Sequence, residues 1–117
     1  RTSRLLPLLR MRDGFFRKWR GASWEGAMTC SLAVWGQDFY RVNGFDESFV
    51  GWGHEDAEFV NRLINSQIFR KEGRFAAPVL HMWHQARDRL NEKENLQKLF
   101  SHIEQHLVWA EKGIDRY

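Results

Sequence analysis

The chain has 117 residues, enough for one small domain, and 43% of them are hydrophobic, enough to bury a core. A formal net charge of only +3 excludes a polyelectrolyte that grips nucleic acid by charge alone. A single cysteine, Cys30, excludes an internal disulfide and a four-cysteine zinc site, and no apolar run approaches the length of a membrane span.

In chain order, residues 4–20, RLLPLLRMRDGFFRKWR, mix Leu, Phe and Trp with Arg and Lys, and Pro7 and Gly14 break any long helix. They define a basic-aromatic N-terminal segment over 1–25, ahead of a domain over 26–117. AMTCSLAVW (27–35), bounded by Gly26 and Gly36, predicts a buried strand, with Cys30 as a small core residue. QDFYRVN (37–43) predicts two helical turns stopped by Gly44. GFDESFVGWG (44–53) reads as a loop. From Glu55 the pattern turns helical, with Phe59, Val60, Leu63 and Ile64 on one face. Glu55, Asp56 and Glu58 fall in its first turn, where acids suit the helix dipole.

FAAPVLHMWH (75–84) predicts a second strand. From Asn91 a long amphipathic helix is expected to run to about Lys112, with Leu96, Leu99, Phe100, Ile103, Leu107 and Ala110 as its apolar stripe. His102 and His106, four apart, have zinc-binding spacing but are read as solvated polar positions. The order is strand, helix, acidic loop, helix, strand, helix. That is an α/β fold: a small mixed sheet, flanking helices and a long C-terminal helix. Two strands make a thin sheet, and the first residue is Arg1 rather than Met. Both features read as a piece of a longer chain.

The chemistry concentrates in GWGHED (51–56). Trp52 between Gly51 and Gly53 can lie flat and exposed, an apolar plate on which a sugar ring stacks. Glu55 and Asp56 point in different directions around the helix start. One can face a cleft while its neighbour holds a loop or a substrate hydroxyl. Acids there also serve as caps and dipole partners, and a glycine-flanked Trp also serves as loop packing. In HMWH (81–84), His81 and His84 would point to opposite faces of a strand; at a strand end they could converge on one metal.

VNGFDESFVGWGHEDAEFVNRLI (42–64) resembles the C-terminal segment of family-2-like, GT-A-type glycosyltransferases. It is especially similar to the galactosyltransferase C-terminal domain shared by β-1,4-galactosyltransferases and bacterial polysaccharide and lipopolysaccharide transferases. The shared frame is NGFDE, a short aromatic spacer, GWG-x-ED, then a helix containing NRL. Downstream, APVLHMWH (77–84) matches the strand carrying the family's late metal-binding His, and RDRLNEKEN (87–95) resembles the polar stretch after it.

The resemblance implies a partial GT-A-type fold and an inverting sugar transfer from a nucleotide sugar to a glycan acceptor. It implies Asp56 as general base, Glu55 as the acid that hydrogen-bonds sugar hydroxyls, and Trp52, with Gly53, as the wall of the sugar pocket. It implies His84 as a ligand of Mn²⁺ or another divalent cation, with His81 as a second ligand. The family's Asp-x-Asp metal motif lies upstream, and no Asp-x-Asp occurs in this chain. The expectation is an acceptor-side half, inactive alone, from an enzyme of bacterial surface polysaccharide or lipopolysaccharide synthesis. It would work in the cytoplasm, with residues 4–20 touching anionic lipid on the inner face of the membrane. Two other classes stay open. One is a non-catalytic carbohydrate-binding accessory module. The other is a small nucleic-acid-binding domain, which fits less well because the basic residues cluster at the N-terminus; no nucleic-acid partner is expected.

Overall fold

The computed structural model describes residues 14–73, 75–76, 79, 82–85 and 88–117. It contains three α-helices: α1 (Gly36–Arg41), α2 (Glu55–Asn65) and α3 (Glu92–Glu104). Three short 3₁₀ turns accompany them, at Phe15–Lys18, Thr29–Ser31 and Ile114–Arg116.

Among the described residues there is no strand, and the expected α/β sheet is not found. The reason is local in 27–35. Ser31 N–H turns back to the Met28 carbonyl (3.0 Å) and Leu32 N–H to that of Thr29 (3.3 Å). Small hydroxyl residues favour such turns, and they divide the apolar run in two. Cys30 sits on this turn exposed, not in the core. In 75–84 the described part opens with a turn, Ala76 N–H bonding the Gly73 carbonyl at 2.9 Å, and Met82 and Trp83 are exposed. Residues 77, 78, 80 and 81 of the second expected strand lie outside the described residues.

The two central helices follow the sequence pattern. α1 ends at Arg41, and Gly44 N–H folds back to the Phe39 carbonyl (2.9 Å). α2 buries the face expected of it: Phe59, Val60 and Leu63 join Val42 in the core, with Ile64 packed against them. Phe45 stacks on Phe59 at 4.4 Å between centroids, and Phe39 meets both rings. Trp24 and Leu32 from the irregular N-terminal part close the same core.

The C-terminal helix is shorter than its periodicity suggests. α3 stops at Glu104, where His106 adopts a left-handed backbone (φ 52°). Continuing the helix to Lys112 would forfeit a set of bonds made by the returning tail. Asn65 Nδ2 donates to the Leu107 carbonyl (2.8 Å), and Ala110 N–H to that of Val42 (3.2 Å). Asn43 Nδ2 donates to the Ala110 carbonyl (2.8 Å) and to Asp115 Oδ1 (2.6 Å), while its Oδ1 accepts Asp115 N–H (2.9 Å). Asn43 is buried, so each of those bonds replaces water it has lost. At the other end, Arg17 donates to the Glu72 carbonyl (2.9 Å), and Glu72 N–H returns to that of Arg17 (2.8 Å).

Candidate sugar site at the loop before α2

The loop 48–53 is held in place by one polar face of α3. Asn91 and Asn95 donate to the Val50 carbonyl (3.1 and 3.2 Å), and Asn95 also reaches that of Trp52 (3.4 Å). Lys98 donates to the Ser48 carbonyl and lies 5.1 Å from the Phe49 ring centroid. His102 meets the same ring edge-on at 5.7 Å. Residues 91, 95, 98 and 102 recur at helical spacing, so a single stripe faces the loop, its first three members on the alternate carbonyls of 48, 50 and 52. The sequence gives α3 an apolar stripe and reads His102 and His106 as solvated polar positions. His102 is instead half-buried, with Nδ1 3.1 Å from Glu58 Oε1; the expectation of solvation holds for exposed His106 alone. Buried Asn95 and fully buried Glu58 and Arg62 were missed as well.

The glycines around Trp52 have a backbone cause. Gly51 (φ 86°) and Gly53 (φ 110°) both lie where side chains are strained, and a Cβ on Gly51 would stand 3.2 Å from Asn91 Nδ2. Trp52 is thereby turned outward and remains 38% exposed. The Arg89 guanidinium lies over the indole, 4.1 Å from the ring centroid, and is 3.8 Å from Glu92. The GWG loop and Arg89, far apart in sequence, thus meet here.

Glu55 and Asp56 open α2 behind His54, whose own backbone is left-handed (φ 72°). Glu55 Oε2 accepts Gly53 N–H (3.1 Å) and closes the loop. Asp56 Oδ1 accepts Ala57 N–H (2.8 Å), and Oδ2 accepts Thr29 N–H (3.2 Å). The Thr29–Ser31 turn therefore docks onto the Asp56 carboxylate. The two N–H bonds fix its plane while each oxygen keeps a further lone pair. Both acids are half-buried, within reach of water or a small ligand.

His84 is exposed, with Nδ1 3.0 Å from the Gln85 carbonyl; His81 lies outside the described residues. Among the described residues, the grouping of three potential metal ligands is Asp46, Glu58 and His102, whose ligand atoms lie within 4.8 Å of one another. There the Arg62 guanidinium already spans both Glu58 oxygens (2.7 and 2.8 Å), so the positive charge comes from the protein. Mn²⁺ prefers several oxygen ligands, and His84 belongs to no such cluster among the described residues.

Residues 14–85 match the family described as the N-terminal domain of galactosyltransferase. Validoxylamine A glucosyltransferase from Streptomyces hygroscopicus subsp. jinggangensis (strain 5008) is 48% identical over 40 residues, which is 34% of this chain and 10% of that protein. The protein of the same name from Streptomyces hygroscopicus subsp. limoneus is likewise 48% identical over 40 residues, 34% of this chain and 9% of its own length. The aligned part thus spans about a tenth of those relatives. No solved structure matches this chain.

Proposed function

This chain belongs to the family of the N-terminal domain of galactosyltransferase, and from that premise we propose that it forms the acceptor side of an inverting glycosyltransferase. The observation that carries the reading is the shared corner: Trp52, Glu55 and Asp56 stand on one loop-to-helix junction that α3 holds in place. Asp56 takes the proton from an acceptor hydroxyl. The hydroxyl oxygen attacks the anomeric carbon as the bond to the nucleoside diphosphate breaks on the opposite face. Glu55 hydrogen-bonds sugar hydroxyls, and Trp52, with Gly53 beside it in the loop, walls the sugar. The donor is a nucleotide sugar. The names of the two relatives make a glucosyl donor the first to test.

The diphosphate would be held by parts of the enzyme upstream, since this sequence contains no Asp-x-Asp. Those parts, with His84 and His81, would supply any Mn²⁺ site, and the 117-residue chain alone would transfer no sugar. Bacterial surface polysaccharide synthesis on the cytoplasmic face of the membrane is the setting we propose. Among the described residues no helix is long and apolar enough to cross a membrane. Phe15, Lys18 and Trp19 are exposed on the first 3₁₀ turn, which supports a peripheral contact with anionic headgroups. Residues 4–13 of the basic-aromatic stretch lie outside the described residues.

The test is Asp56→Asn in the full-length protein. The amide cannot take the hydroxyl proton, so turnover should fall by roughly 10²–10⁴ with donor binding intact. Near-normal turnover removes Asp56 from the role. Glycan binding without turnover in the unmutated protein would instead indicate an accessory carbohydrate-binding module.

A further inference from the structure

A second surface of α3 faces a groove of about 700 Å³ between the helix and the returning tail. Its lining includes Glu94, Gln97, Ser101, Gln105, Trp109 and Glu111. The helical part, from Glu94 to Gln105, extends about 16 Å at the α-helical rise. Trp109 is 48% exposed and supplies one large ring. The remaining lining residues just named are amide, hydroxyl and carboxylate groups. Gln105 Nε2 donates to Ser101 Oγ (2.9 Å), which orients that amide and leaves its carbonyl and second N–H for a ligand.

The charge of the groove restricts what it takes. Glu94 and Glu111 are exposed carboxylates. Lys98 also lines the groove, but its ammonium is turned onto the Ser48 carbonyl. His102 lines it too, and its Nδ1 is turned onto Glu58. An anionic ligand would meet two carboxylates, while the two basic side chains of the lining each already hold a protein partner. A chain of neutral hydroxylated rings matches better: one ring on the indole, its hydroxyls on planar amide and carboxylate groups.

The groove is also in register with the loop site. Glu94 lies one helical turn beyond Asn91, which holds Val50, and the groove-lining Lys98 holds Ser48. We propose that this groove is a subsite for the distal part of a neutral glycan acceptor, whose reactive end sits at Trp52 and Asp56. The proposal rests on the sugar-transfer reading for its direction, but binding in the groove is measurable without turnover.

The experiment is calorimetry of the full-length protein with linear neutral glucose and N-acetylglucosamine oligomers, from monosaccharide to hexasaccharide. Affinity should rise with chain length. Trp109→Ala should abolish the rise and weaken the longest oligomers roughly tenfold, the size of a lost ring stack with its burial. Asp56→Asn should keep the length dependence whatever it does to turnover, so failure of the catalytic reading and failure of the groove are told apart. Uronate oligomers of the same lengths should bind more weakly, and Glu94→Gln with Glu111→Gln should narrow that gap. If Trp109→Ala does not fold, Gln97→Ala and Glu111→Ala, at exposed positions, should each flatten the rise instead. No binding across the neutral panel, length-independent affinity, or a rise untouched by these substitutions overturns the proposal.

Discussion

Arg89 lies over the indole of Trp52, its guanidinium carbon 4.1 Å from the ring centroid. A sugar that stacks on Trp52 therefore meets a plate already backed or capped by a cation. The contact is exposed, so it should contribute about 0.5–1 kcal/mol. A double-mutant cycle with Trp52→Ala and Arg89→Ala, read by urea unfolding, should return a coupling of about that size. Zero coupling would mean the stacked pair does not persist in solution. Trp52→Ala should also weaken acceptor binding more than it lowers fold stability, because the indole stands outside the core cluster. Equal loss of both would make Trp52 a packing residue.

Glu58 and Arg62 form the one ion pair with both partners fully buried among the described residues. Arg62 joins Glu58 to the Val42 carbonyl, and His102 adds a contact from α3. Removing one partner strands the other charge. Glu58→Ala should therefore destabilise by about 3–5 kcal/mol, enough to unfold a marginal domain. Glu58→Leu combined with Arg62→Met should recover most of that loss, since two apolar side chains leave no stranded charge. Chemical denaturation of the single and double variants checks this; a double variant no better than Glu58→Ala sinks the account.

This pair also shows where the sequence was legible. The periodicity of Phe59, Val60, Leu63 and Ile64 specified α2 because apolar positions at helical spacing have one good burial solution. Glu58 and Arg62 sit four apart on the same helix, and nothing local says whether such a pair faces water or core. That depends on α3 and on Val42, contacts distant in sequence. The corner of Trp52, Glu55 and Asp56 was readable, because glycines and first-turn acids report local backbone geometry. The stripe of Asn91, Asn95 and Lys98 was not, because its partners are loop carbonyls, which every residue carries. The strand expected over 27–35 failed for a related reason: an apolar run records burial, whereas a strand also requires a neighbour to take its N–H groups.

Asn43 ties the tail to the domain through Ala110 and Asp115. Asn43→Ala removes three hydrogen bonds from a buried position and leaves the Ala110 carbonyl without that donor. Global stability should fall by about 1–3 kcal/mol. Residues 107–117 should also become the first site of limited proteolysis, since their local opening would then cost less. Cleavage that begins elsewhere, with the tail still protected, would show that backbone bonds such as Ala110 N–H to Val42 suffice.

Tyr117, the last residue, closes the tail onto the loop: its hydroxyl donates to the Glu47 carboxylate at 2.9 and 3.0 Å. That hydrogen bond, and then the negative charge of Glu47, raise the phenol above its ordinary pKa of 10.0. The sign follows from which form is favoured. The folded state prefers the protonated phenol, so the latch is fully present below the unfolded-state value and is lost as pH rises through the higher folded-state one. Tyr40 is the second tyrosine, so the titration is done in a Tyr40→Phe background. Ultraviolet absorbance should place the Tyr117 midpoint above 10.0, and Glu47→Gln should bring it down toward that value. Because the phenol is exposed, the chain should remain folded through the transition, with only the tail becoming more accessible to protease. A midpoint unmoved by Glu47→Gln would mean that Tyr117 does not hold the loop in solution, and that the tail is secured by the bonds of Asn43, Asn65 and the backbone.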